Sequence, residues 1–179
     1  MKKVGYILIV SILLSMILVG CKNNNSAEID KVYKTIEDYF NSYYTIEDYK
    51  ILDDSNKAYE KETDLIESVK QYTTEEFFNR LKEKRGSGAT VDTAKLAKRN
   101  IKVGDIEYKI EKPKNIEELK DEITLYYTAD FKFYNDDKND DKEDILEKEG
   151  QIRLKKVSGE WKIDYEPGYI PHYMFEKIK

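Results

Sequence analysis

Cysteine and histidine are nearly missing from this sequence: its 179 residues hold Cys21 and His172 and no second copy of either. That excludes a disulfide within the chain and a zinc centre built from Cys and His ligands. An excess of positive charge is missing too. The first twenty residues carry Lys2, Lys3 and no acid, so the remainder sets 29 cationic against 36 anionic side chains. A body this acidic is not a general DNA or RNA binder, because neutralising phosphates requires a net basic surface. The length suits one domain of ordinary size. No phosphate-binding loop and no nucleophile paired with a base can be found in the chain.

What is present begins at the amino end. Met1-Lys2-Lys3 is a short cationic start, and Val4 to Leu18 is apolar except at Gly5, Tyr6, Ser11 and Ser15. The run is short for a spanning helix, which needs about 20 apolar residues. It ends in Leu18-Val19-Gly20-Cys21, and the polar Lys22-Asn23-Asn24-Asn25-Ser26 follows at once. This ending resembles the lipobox of bacterial lipoproteins, over the first twenty-one residues only. The resemblance implies cleavage between Gly20 and Cys21, a diacylglyceryl thioether on Cys21 and often a further acyl group on its new amino nitrogen. Two or more acyl chains hold a protein firmly to a bilayer, at about 0.8 kcal/mol per buried CH₂. The expected organisation is a signal peptide over 1–20, a lipidated tether over 21–28 and a single α+β domain over 29–179. The location implied is the extracytoplasmic face of the cell membrane. A bias toward Lys, Asn, Ile, Tyr and Asp fits a Gram-positive lipoprotein.

The mature chain reads as helices followed by strands, the order of an α+β domain. Ser26 is the expected N-cap of a first helix whose apolar face is Ile29, Val32, Ile36, Phe40 and Tyr43. Thr-Ile-Glu-Asp-Tyr occurs at Thr35–Tyr39 and again at Thr45–Tyr49; ten residues is too short a period for a solenoid, and Thr45 is read as capping a short helix. Asp53-Asp54-Ser55 starts another helix, with Ala58, Leu65, Val69 and Tyr72 on one stripe and Glu62 as a gap in it. Thr73 with Glu76 makes a capping-box pattern before Phe77, Phe78 and Leu81. Gly86 is the expected C′ residue, and a further short helix is expected over Val91–Lys98.

Strands follow. Ile101 and Val103 are odd-numbered, whereas Ile106, Tyr108 and Ile110 are even, so a β-bulge is expected at Gly104-Asp105, with Pro113 ending the strand. Ile123, Leu125, Tyr127, Ala129, Phe131 and Phe133 alternate with Thr124, Tyr126, Thr128, Asp130 and Lys132. Ile152 and Leu154 mark a third strand after an acidic loop over 135–144. Val157-Ser158-Gly159-Glu160 turns into Trp161, Ile163 and Tyr165. Helices first, then a bent antiparallel sheet closing in Gly159-Glu160-Trp161-Lys162-Ile163, resembles the nuclear transport factor two-like superfamily over about residues 29–166. The resemblance implies a curved sheet wrapped around a long first helix, as a cone with a pocket at its open end. A cystatin-like helix-on-sheet domain is the alternative.

Enzymes of that superfamily place a His–Asp pair, or an Asp with Tyr donors, inside the cone, and these do not carry over to any position here. His172 lies beyond the last strand, beside Pro171, and is read as a rim residue. Asp130 with Tyr126 would form a polar centre only on the less apolar face of its strand, so Asp130 is read as solvated. An EF-hand loop counted from Asp137 would need Gly and Glu where Lys142 and Lys148 stand. Residues 80–102 hold eight cations against Glu83 and Asp92, and residues 135–149 hold eight acids against three lysines. Three interpretations stand: a basic patch around Lys95, Lys98 and Arg99 for an acidic partner or anionic surface, two merely solvated surfaces, or complementarity within the chain. The function expected is a membrane-anchored, non-catalytic binding or scaffolding module without a cofactor; the alternative is a small-molecule binder using the pocket of the cone. Replacing Cys21 by Ser is expected to abolish palmitate incorporation, and persistent labelling of C21S cells' protein would overturn the lipid anchor.

Overall fold

The computed structural model describes residues 24–110, 121–135 and 143–167. Cys21, Pro113, Asp137, His172 and the apolar segment 169–175 lie outside them. The chain divides into two compact units, Met1–Tyr33 and Lys34–Lys179. In the first, the described residues are helical and carry an exposed pair between Lys31 and Glu28 at 2.7 Å. The second unit holds the rest of the first helix and every other element described below.

The fold is α+β. Helix α1 (Asn24–Tyr44) is followed by a 3₁₀ turn at Tyr49–Asp53, α2 (Ser55–Ser68), a second 3₁₀ turn at Lys70–Tyr72, α3 (Glu75–Glu83) and α4 (Gly88–Ala97). Strands β1 (Asn100–Ile110), β2 (Glu122–Tyr134), β3 (Asp144–Val157) and β4 (Glu160–Tyr165) then form one curved antiparallel sheet in sequential order. Helix α1 begins within the expected tether, so Ser26 sits inside the helix and is not its N-cap.

Several helix ends differ from their sequence patterns by one to three residues, each for a local reason. Asp48, not Thr45, caps the first 3₁₀ turn by accepting from the Lys50 N–H. Ile46 instead bridges Ile101 through a reciprocal pair of 2.8 Å backbone bonds. Asp54 caps α2 as expected. Thr74 caps α3 by accepting from the Phe77 N–H, while Thr73 turns its hydroxyl back onto the Val69 carbonyl and Glu76 pairs with Arg80. At the end of α3 the left-handed residue is Arg85 (φ 48°). Gly86 donates to the Leu81 carbonyl at 2.9 Å and Arg85 to Lys82 at 3.2 Å, the bond pair of a Schellman motif with arginine at C′. Gly86 is needed for space: a Cβ there would lie 2.6 Å from the Tyr43 hydroxyl.

The long alternation over Ile123–Phe133 is buried at every predicted position. Between Val103 and Ile106 the β1 register slips by one residue against Asp130, the expected bulge. Ser158 and Gly159 both take positive φ (52° and 88°), as a two-residue type I′ hairpin requires. Strand β3 starts earlier than its apolar residues suggest, and Leu146 is buried opposite Phe131.

The end of α1 lies on the inner face of β2. Phe40 meets Tyr127 edge-on at 5.0 Å, Tyr44 meets Phe131 edge-on at 5.0 Å, and Tyr39 stacks on Tyr43 at 5.5 Å. Such aromatic pairs add about 0.5–1.5 kcal/mol each beyond area burial. Both lateral strands are also tied to the helical layer: β1 through Ile46, and β4 through Thr73 and Thr74, whose N–H donates to the Ile163 carbonyl at 2.8 Å. Edge groups held in this way are not open to pairing with another chain.

Gly150 stands opposite Tyr127, and a Cβ on it would fall 2.5 Å from the Tyr127 hydroxyl. Gly150→Ala is therefore expected to destabilise the fold by about 1–3 kcal/mol, read as a lower urea midpoint at unchanged slope.

Candidate functional site

A second bulge builds the centre of the molecule. Ile163 faces Leu154 and Tyr165 faces Arg153, leaving Asp164 as an extra residue in β4. Simple alternation would have turned Tyr165 inward. Instead Tyr165 is 43% exposed and Glu166 is buried. Lys148 is buried as well, at an inward position of β3 opposite the small Ala129, which leaves room for the lysine stem.

The two charges meet. Lys148 Nζ lies 2.6 Å from Glu166 Oε1 and donates to the Tyr44 hydroxyl at 2.9 Å. Glu166 Oε1 also accepts from Tyr127 at 2.7 Å, and Oε2 from Tyr44 at 2.9 Å and Tyr39 at 3.3 Å. The ammonium sits 4.9 Å from the centre of the Tyr44 ring and 5.7 Å from that of Tyr127, within cation–π range. Such pairing offsets the desolvation that would otherwise forbid burying either charge. Burial, and then the negative charge of Glu166, push the Tyr39 and Tyr44 hydroxyls well above the usual tyrosine range; Tyr43 is raised by the same causes. The phenols are hydrogen-bond donors here, not bases.

Next to this cluster Asp164 organises the sheet edge. Its carboxylate takes Arg153 Nη2 at 2.7 Å, Lys155 Nζ at 3.0 Å and the Thr74 hydroxyl at 3.2 Å, and its carbonyl accepts from Arg80 at 2.7 Å. Burial opposes ionisation at Asp164, but the hydrogen bonds from Lys155 and Arg153 outweigh it and hold the carboxyl below its ordinary range.

Glu166 also reaches a cleft of about 1090 Å³ between α3, α4 and the end of β4. Phe77, Leu81 and Ala89 supply apolar walls, Arg80, Lys84 and Arg85 positive charge, and Glu62 and Asp92 negative charge. Glu62, the gap in the α2 stripe, is turned into the cleft wall by its ion pair with Arg85, while its carbonyl accepts from the buried Ser87 hydroxyl at 2.7 Å. Such a cleft has the size of a ligand site and the donors and acceptors for a ligand bearing both signs of charge. Among the described residues no group of three or more Cys, His, Asp or Glu could hold a metal ion.

The sequence-predicted residues lie elsewhere. Lys95 and Lys98 are exposed at the end of α4, where Lys98 takes a left-handed C-cap. Arg99 is brought to Asp144 at 3.2 Å and Lys102 to Glu143 at 2.5 Å. At these two points the basic segment meets the acidic one within the chain. Asp130 and Tyr126 lie on the outer face of β2, away from the helices, with Tyr126 exposed. The Lys148–Glu166 pair escaped the sequence reading. Its one legible signal is Leu146-x-Lys148-x-Gly150-x-Ile152-x-Leu154, a period-two run that puts a lysine on the apolar side. Glu166 left no such trace, because its direction depends on the bulge.

No protein-family model matches this chain, and a search of curated proteins finds no match either.

Removing one partner of a buried ion pair strands the other. Lys148→Met is expected to cost about 3–5 kcal/mol, and Lys148→Met with Glu166→Gln less than the sum of the single changes. Chemical denaturation of the singles and the double checks this; additive losses would show that the pair is not coupled.

Proposed function

We propose that this protein is a lipid-anchored, extracytoplasmic binding module that performs no catalysis, with the helix-filled cone of the nuclear transport factor two-like superfamily. The observation that carries this reading is the filling of the inner sheet face. Where an enzyme of this shape would keep an open, polar chamber, Phe40, Tyr44, Tyr127 and Phe131 pack ring against ring. The buried acid is answered by Lys148 and three tyrosine hydroxyls. A general acid or base needs a substrate within hydrogen-bond reach, and this carboxylate spends its acceptor capacity on the protein's own donors. Binding then falls to the outer surfaces. The lipid on Cys21 would hold the module at the membrane, and Lys95 and Lys98 would face an acidic partner or anionic surface beside the Arg99–Asp144 pair.

A second reading, a small-molecule binder, is favoured by the cleft of about 1090 Å³ at the rim. The two are separated by crosslinking intact cells that express the full lipidated chain, followed by pull-down and mass spectrometry. The expected result is a reproducible protein partner that is lost when Lys95 and Lys98 become Glu. Arg99→Glu is the third variant, and it also breaks the pair to Asp144. Capture of no partner above background would overturn scaffolding and direct ligand screening to the cleft.

A further inference from the structure

On the side of the sheet away from the helices, three adjacent strands enclose a shallow groove of about 540 Å³. Its walls follow from the register. Tyr126 stands between Lys109 of β1 and Gln151 of β3, and Thr128 stands between Glu107 and Glu149. The two rows are consecutive outward positions of β2, so about 7 Å separates them along the strand, and each crosses three strands over about 10 Å. Tyr126 is 44% exposed and Glu107, Lys109 and Glu149 are exposed. The row between them, Tyr108, Tyr127 and Gly150, points inward, and without a Cβ at Gly150 its backbone completes the floor.

We propose that this groove binds a neutral oligosaccharide, with Tyr126 as the platform for one sugar ring. A tyrosine ring offers a flat, electron-rich face to the C–H edges of a pyranose. Each sugar hydroxyl both donates and accepts, and the groove alternates the matching groups. Lys109 donates, Gln151 and Thr128 do both, and Glu107 and Glu149 accept. Two carboxylates against one ammonium group disfavour a polyanion, and the ammonium group beside Tyr126 disfavours a cation over the ring. The hydrogen-bonded pairing of β2 with β1 and β3 holds these side chains on an ordered backbone, so little ordering is required on binding. This site is independent of the cleft at the rim and of the Lys95–Lys98 surface.

The test is calorimetric titration of the full chain, solubilised in a detergent without a sugar headgroup, with chitotetraose and with cellotetraose. Binding of either is expected, weakened about tenfold by Tyr126→Ala and retained by Tyr126→Phe, which keeps the ring. Gln151→Ala is expected to weaken it as well, and being at an outer sheet position it provides a second variant should Tyr126→Ala melt at a lower temperature. No heat from either tetrasaccharide at millimolar concentration would overturn the proposal. So would binding untouched by both Tyr126→Ala and Gln151→Ala, or binding of dextran sulfate where the neutral sugars fail.

Discussion

A carboxylate buried against an ammonium group, Glu166 with Lys148, sets the terms for the rest of the fold. Neither charge tolerates an apolar interior alone. Once both are inside, the hydrogen-bonding capacity around them has to be filled, and Tyr39, Tyr44 and Tyr127 fill it from α1 and β2. Those three rings also form part of the aromatic core. The polar demand of the pair and the apolar packing of helix on sheet are therefore met by the same side chains. That coupling explains two small residues in the sheet. Ala129 leaves space for the Lys148 stem, and Gly150 leaves space for the Tyr127 hydroxyl.

The pair also joins elements that are distant in sequence. Glu166 follows the last strand, Lys148 sits in the third, and two of the tyrosines belong to the first helix. A network of this kind specifies one register among several that apolar packing alone would tolerate, because a slip of one residue would expose Gly150 and bury Glu149 or Glu147. The bulge in β4 is part of the same solution. It turns Tyr165 outward and brings Glu166 to Lys148, while Asp164 gathers Arg153, Lys155, Thr74 and the guanidinium of Arg80 at the outer edge.

For function, the consequence is a division of labour between the two sides of the sheet. The inner side is occupied by the protein's own aromatic and charged groups. On the binding function proposed above, recognition would fall to the rim cleft, the lysines at the end of α4 and the polar groove around Tyr126. The basic and acidic segments spend part of their charge on each other through Arg99–Asp144 and Lys102–Glu143. The more exposed of the two, Lys102–Glu143, is a surface pair of the kind that contributes little to stability.

The α+β order, the first helix, the buried alternation of β2, the bulge at Gly104-Asp105 and the turn at Ser158-Gly159 were all legible in the sequence. Each depends on the spacing of apolar residues or on a turn residue's own backbone preference, and such information is local. Helix caps were legible only to within one to three residues, because Thr73 and Thr74, or Thr45 and Asp48, offer the same chemistry to nearby N–H groups. What the tertiary structure alone decided is where the charges go. Lys148 could be suspected from its place in an inward-facing run, but Glu166 could not, since its direction is set by a register slip against Arg153 and Leu154. Gly86 likewise resembles a conformational C-cap until the Tyr43 hydroxyl beside it is seen. Periodicity travels along one strand, whereas a bulge, a buried ion pair and a close approach each require knowing what stands opposite.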